Sequence, residues 1–261
     1  MHTPATPPLI VVTNDDGIDA PGLALLERIA ARHGEVLTVA PRTERSGISH
    51  GITLHAPLRI VERGAGRYAV QEGTPADCIY VALHLLAGRG PSLVVSGINH
   101  GLNIGHDVIF SGTVAAARQA VIHGIPAVAF SYEVGDSAPI DAAAPHVEAV
   151  LEAIWRHGVP PGVLLNVNVP NPGIEPVQGY AVTRLGRRIY RSRIVQRVDP
   201  RGAAYIWIGA GDVEMDCPPG SDCHAVRHGK VSITPLGLDT TATESIETLR
   251  QWSIVRSSQA A

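Results

Sequence analysis

From Leu9 to Thr13 the chain reads Leu-Ile-Val-Val-Thr, an apolar run with no polar residue until its last position. A strand with one face in water alternates polar and apolar residues. An unbroken β-branched run belongs to a strand buried on both faces, the condition of a parallel sheet covered by helices on each side. The pattern then repeats. Pro21 opens a helix to about Arg32, since proline suits a first turn where its missing N–H costs nothing. Glu35 to Ala40 is a second strand, and Leu58–Val61 and Tyr68–Gln71 pair as a hairpin or sheet extension. Pro75 to Leu86 is a helix with Thr74 as its N-cap. Strands at Leu93–Ser96, Ala127–Ser131 and Leu164–Val169 alternate with helices at Thr113–His123 and Asp141–His157. Such alternation of strands and helices predicts an α/β fold with a mostly parallel sheet flanked by helices.

After Pro170 the pattern changes. Tyr180–Arg184 reads as a strand. Ile189–Ile208 alternates charged and β-branched residues as a long hairpin arm would. Val231–Thr234 is a late strand, and Glu244–Val255 a C-terminal helix. The expected organisation is one domain: a core over about 9–170 plus 231–240, an arm over about 180–230 and a helix over about 244–256. The polarity of the arm and the arginines between Arg184 and Arg201 point to an arm that packs on a partner subunit or flanks a site.

Composition narrows the function. The formal charge is −3, without the basic footprint of a protein that wraps a nucleic-acid polymer. No apolar stretch reaches the roughly 18–20 residues of a membrane span, and the N-terminus lacks the basic and apolar regions of a signal peptide. Three cysteines without framework spacing, Cys78, Cys217 and Cys223, read as reduced thiols. The chain therefore reads as cytoplasmic, with no membrane partner. Zinc on Cys217, Cys223 and His224 is disfavoured, because structural zinc takes four ligands in close pairs.

Ligands of an open parallel sheet bind beyond the carboxyl ends of its strands. Three polar loops follow strands in this way. The first is Asn14-Asp15-Asp16-Gly17, whose adjacent carboxylates repel unless a cation offsets them. An Asx turn capping the next helix accounts for the same residues. The second, Pro41 to His50, holds Ser46 as a nucleophile, a metal ligand or a turn former. Its surroundings do not match the Gly-x-Ser-x-Gly elbow of α/β-hydrolases. In the third, Ser96 to Asp107, glycines recur every four residues with asparagines between them, a stretch that needs a reason to be ordered, of which a bound ion or phosphate is one. Ser111-Gly112-Thr113 then opens an alanine-rich helix, either as a plain N-cap or as an anion site at the positive end of the helix. Two carboxylates, a hydroxyl and an amide oxygen are hard donors that favour Mg2+, Mn2+ or Ca2+.

These segments resemble the SurE family of survival proteins, metal-dependent 5'/3'-nucleotidases. The resemblance rests on Thr13–Gly17 with Ala20–Gly22, Val39–Pro41 with Arg45–Gly47, Gly73–Cys78, Val95–Asn99 and Ser111–Ala116. It continues through Asn166–Pro170, Asp199–Gly202 and Ser232–Leu236, in order along nearly the whole chain. It implies a Rossmann-like core whose C-terminal hairpin and helix are exchanged between subunits, as a homodimer or homotetramer. It also implies one divalent ion, Mg2+ or Mn2+, on Asp15, Asp16, Ser46 and Asn99, with Asp15 and Asp16 also catalytic. Asn103, Ser111, Gly112 and Thr113 would lie at the phosphate of a nucleoside 5'- or 3'-monophosphate, and some members of the family shorten polyphosphate. His50, His106 and Phe110 depart from residues common in the family. His50 reads as a solvent-facing loop residue rather than a proton donor to the leaving oxygen. The rival readings are a serine hydrolase using Ser46 with His50, and a nucleotide-binding module without turnover.

Overall fold

The computed structural model describes residues 6–135, 138–171, 173, 176–190, 194–208, 213–252 and 254. The Leu9–Thr13 run is strand β1, buried at every position. The first half continues with α1 (Pro21–Ala30), β2 (Glu35–Pro41), β3 (Arg59–Gly64), β4 (Arg67–Gln71), α2 (Pro75–Val81) and β5 (Leu93–His100). Then come α3 (Gly112–Ile122), β6 (Ala127–Tyr132), α4 (Ala144–His157) and β7 (Val163–Val169). The last third holds β8 (Tyr180–Val182), β9 (Arg187–Tyr190), β10 (Ile194–Val198), β11 (Ala204–Ile208) and β12 (Val213–Asp216). It closes with α5 (Asp222–Arg227), β13 (Val231–Gly237) and α6 (Thr243–Arg250).

One nine-stranded sheet runs in the order β3-β4-β2-β1-β5-β6-β7-β13-β8. From β4 to β7 all neighbours are parallel. β3 is antiparallel to β4, and β13 antiparallel to β7. β1 explains why both faces are covered. Ile10 and Val12 belong to the core under α1 and α4, while Leu9 and Val11 belong to the core under α2 and α3. Alternate side chains of a strand leave by opposite faces, so each layer takes every second residue. The connections leave β1 toward β2 on one side and reach β5 on the other. This reversal opens a crevice past the carboxyl ends of β1 and β5.

Several boundaries differ from the sequence reading. β5 runs on to His100 instead of ending at Ser96, because Asn99 and His100 pair with Ser131 and Tyr132 of β6 beyond an irregularity at Gly97 and Ile98. The glycine-rich loop is correspondingly shorter, and a 3-10 turn at Gly105–Ile109 breaks it again. Helix α2 gives way at Ala82–Leu86 to a wider π turn. A 3-10 turn at Ile140–Ala143 precedes α4. Helix α5 had no counterpart in the sequence reading; its six residues are too few to show a periodicity.

The arm is present as antiparallel pairs: β9 with β12 and β10 with β11. Arg191 and Arg193 of the arm, and the expected helix end at Val255, lie outside the described residues. The cysteine reading needs correction. Cys217 and Cys223 form a disulfide across a Cα separation of 5.4 Å, leaving Cys78, on the buried face of α2, as the free thiol. The tight Pro218-Pro219-Gly220 turn between them returns the chain on itself and brings the sulfurs together, a closeness that spacing alone does not disclose.

Candidate active site at the β1–β5 crevice

The loop after β1 is shaped by hydrogen bonds within the chain. Asn14 Nδ2 donates to the Gly17 carbonyl at 2.9 Å, and Gly17 turns with φ of +103°, where a side chain would strain the backbone. The Ile18 N–H donates to the Pro41 carbonyl at 2.8 Å and the Arg45 N–H to the Asp15 carbonyl at 2.7 Å. The second loop is thereby bolted to the first, and Ser46 follows directly. The Ser49 N–H reaches the Phe110 carbonyl at 2.9 Å, and its hydroxyl the Ile109 carbonyl at 2.7 Å, tying the second loop to the end of the third.

The result is a cavity of about 250 Å³ lined by Asp15, Ser46, Asn99, Asn103 and Ser111, with Phe110 at its wall. Residues far apart in the chain face one space. Asp16 lines an adjoining cavity of about 430 Å³ that shares Ser46 and His100 with the first. Gly112 touches Asp15 so closely that a Cβ there would lie 2.8 Å from the Asp15 Cβ and 2.9 Å from its Oδ2. Only glycine permits this approach.

Asp15 is 3% exposed, and its carboxyl is pushed up to about 6. Burial is the main cause and the neighbouring Asp16 adds to it; the hydrogen bond from the Thr113 hydroxyl opposes both. Asp16 is also raised, by burial first, against the pull of the His100 N–H, which donates to its Oδ2 at 3.2 Å. Among the described residues no cationic side chain forms an ion pair with either carboxylate. Two adjacent acids, one of them deeply buried, are thus held without an ion-pair partner among the described residues. A divalent cation fits that deficit. Ser46 donates to Glu44 at 2.8 Å, which leaves its lone pairs available, and Asn99 donates its amide N–H to the Gly101 carbonyl at 2.8 Å, which leaves its amide oxygen as an acceptor. The donor set is all oxygen. Among the described residues no cluster of three or more His, Cys, Asp or Glu side chains offers an alternative metal site.

Thr113 is bound to Asp15. Its hydroxyl and its amide both turn to Asp15, so the first turn of α3 supports the carboxylate. Ser111 caps α3 by accepting the Val114 N–H at 3.1 Å and still faces the cavity. His50 is fixed to Gln119 of α3 at 2.8 Å. No Ser46–His50 pair exists for a serine hydrolase, and His50 does not line the cavity. Phe110 is half exposed at the rim and His106 lies outside.

The sequence reading overlooked the support beneath Asn103. Asn168 Oδ1 accepts the Asn103 N–H at 2.8 Å, and the side chains of Asn166 and Asn168 both donate to the Asn103 carbonyl, at 2.8 and 3.1 Å. Ser131 accepts from the Asn103 side chain at 2.8 Å. The signal was present: two asparagines at i and i+2 in an otherwise apolar strand share one buried face.

The model of the survival protein SurE family matches residues 10–192. The chain belongs to the SurE family. It is 46% identical over 252 residues to the 5'-nucleotidase SurE of Syntrophotalea carbinolica, an alignment covering 95% of this chain and 99% of the relative. The 5'-nucleotidase SurE of Moorella thermoacetica is 48% identical over 238 residues, covering 89% of this chain and 91% of that one. The crystal structure of the SurE protein from Aquifex aeolicus superposes with a TM-score of 0.82 at 36% identity, covering 93% of this chain and 98% of the other. The α/β sheet with its antiparallel last strands is thus the SurE fold.

Proposed function

We propose that the chain is a divalent-metal-dependent phosphomonoesterase that hydrolyses nucleoside 5'- and 3'-monophosphates to nucleoside and phosphate. The observation that carries this reading is the cavity where Asp15, Ser46 and Asn99 meet, with Asp16 lining the adjoining one and, among the described residues, no ion pair on either acid. Likeness to relatives named 5'-nucleotidase SurE supports the substrate class. Asp15, Asp16, Ser46 and Asn99 would hold one Mg2+ or Mn2+, which supplies Lewis acidity toward a phosphoryl oxygen and a more acidic bound water.

The remaining chemistry belongs to the chain's own groups. Thr113 holds the Asp15 carboxylate in one orientation through its hydroxyl and amide. The His100 N–H does the same for Asp16, which as a half-buried carboxylate can orient an attacking water. Ser111 and the Gly112 amide would meet a phosphate at the positive end of α3, with Asn103 lining the same cavity. Fixed donors of this kind favour the charge that develops in the transition state without reorganising.

A homodimer or homotetramer built through the arm and α6 completes the reading. Ile194, Val198, Ile206, Trp207 and Ile208 are exposed on β10 and β11, and α6 buries no residue while presenting Leu249, with Trp252 beyond it. No described helix is long and apolar enough to cross a membrane. The cytoplasm is the location proposed, where a reducing environment would open the Cys217–Cys223 bond.

Phosphate release from a panel of 5'- and 3'-nucleotides and polyphosphate, with Mg2+, Mn2+ and EDTA, tests the function. Release from AMP with Mn2+ and none in EDTA is expected. Undiminished release in EDTA would restore the serine reading, and stoichiometric binding of AMP without release would leave only a binding module.

A further inference from the structure

Asp222 is the first residue of α5, in the C-terminal third of the chain, and is fully buried. Ser221 caps the helix by accepting the His224 N–H at 3.3 Å, so the Asp222 carboxylate is not needed as the cap. It reaches outward instead. Oδ2 accepts the Gly105 N–H at 2.8 Å, and Oδ1 accepts the Gly186 N–H at 2.8 Å and the Cys223 N–H at 2.7 Å. Gly105 opens the 3-10 turn that carries the chain from Asn103 to Ser111. Gly186 immediately precedes β9, the root of the arm, which packs on that same turn. One buried carboxylate therefore holds the active-site loop and the arm in register.

The surroundings leave it little room. A Cβ on Gly186 would lie 3.1 Å from Asp222 Oδ1 and 2.6 Å from the Cys223 sulfur. The Asp222 N–H donates to the Arg184 carbonyl at 2.8 Å, and the Arg184 N–H to the Gly220 carbonyl at 3.0 Å, which fixes α5 against the strand leading into the arm. The asparagine clamp on β7 holds the loop at Asn103, two residues before the Asp222 contact. Between them the two supports set where the turn begins. The Ser111 N–H donates to the Asp107 carbonyl at 3.0 Å, so the position of the turn passes to the mouth of α3.

We propose that Asp222 is a positioning residue for nucleotide hydrolysis, linking the arm to the wall of the pocket formed by Asn103 and Ser111. It touches no substrate and acts through the backbone of Gly105. The proposal rests on the phosphomonoesterase reading and adds to it the residue that holds one wall of the site in place. Its effect falls on the phosphate side. Asp15, Asp16 and Ser46, on the β1 and β2 loops, are not attached to Asp222.

The test compares the full-length wild type with Asp222→Asn. Asparagine keeps the size but exchanges one acceptor oxygen for a donor, so a backbone N–H in this buried cluster loses its acceptor. With AMP as substrate, kcat/KM should fall on the order of tenfold to a hundredfold, since small misplacements of aligned groups cost about that much. Inhibition by inorganic phosphate should weaken in parallel, while the Mn2+ concentration for half-activation stays within about twofold. Equal kcat/KM and phosphate inhibition in a folded Asp222→Asn protein would overturn the proposal. So would an equal loss of Mn2+ and phosphate affinity, the mark of a general structural defect.

If the variant does not fold, hydrogen exchange on the wild type decides. Inorganic phosphate with Mn2+ should slow exchange at Gly105 and also at Gly186, which lines neither cavity. Protection confined to the 103–113 segment would refute the link. A wild type that releases no phosphate from AMP while binding still protects both glycines would remove the nucleotidase reading and leave the coupling standing.

Discussion

Replacing Asp15 by asparagine should abolish activity and stabilise the metal-free protein. The carboxyl is pushed from its ordinary 3.8 to about 6, a shift of about 2 pH units. At about 1.4 kcal/mol per unit, ionising it in the folded protein costs about 3 kcal/mol above pH 6. The sign follows from proton binding: between pH 3.8 and about 6 the folded state holds the proton more tightly than the unfolded chain, so stability falls as pH rises and then levels. Asparagine has no charge to desolvate. Its Oδ1 can still accept from the Thr113 hydroxyl, at a residue that lines the cavity.

For a chain of this size about 3 kcal/mol corresponds to roughly 6–12 °C in Tm. Calorimetry in EDTA should therefore find Asp15→Asn more stable than wild type by up to that amount at pH 8, with the gain shrinking to about 1 kcal/mol near pH 4.5. Saturating Mn2+ should raise the wild-type Tm and leave the variant unmoved. A variant less stable than wild type in EDTA at pH 8 would refute the reasoning. So would a gain that does not shrink with acid.

Further outcomes follow from the same geometry. Gly112→Ala places a methyl 2.8 Å from the Asp15 Cβ, so Mn2+ affinity measured by calorimetric titration should fall at least tenfold along with turnover. Asn168→Ala removes both an acceptor and a donor from Asn103 in a buried site, and urea unfolding should show a loss of about 1–3 kcal/mol, with a raised KM for AMP. Thiol titration of the unfolded, air-exposed protein should count one free cysteine, Cys78, and three after reduction; three before reduction would remove the Cys217–Cys223 bond.

The parallel α/β class and the polar loops were legible in the chain because each rests on local rules. A β-branched run such as Leu9–Thr13 belongs in a covered strand, and adjacent acids followed by glycine make a turn with charge to balance, wherever they occur. The likeness of the loops to one family supplied the substrate class, which spacing alone did not. Partners distant in sequence were not legible. Thr113 holding Asp15, His50 reaching Gln119, Asn168 clamping Asn103 and Asp222 joining Gly105 to Gly186 span separations of 98, 69, 65 and, on its longer side, 117 residues. The closing of Cys217 on Cys223 is short in sequence, yet it too depends on where α5 anchors the turn. Backbone preference and periodicity act over a few residues and can be summed along a chain. The contacts that finish this site exist only after β1, β5, β6 and β7 lie side by side, when a carboxylate's environment is set by whichever helix arrives above it.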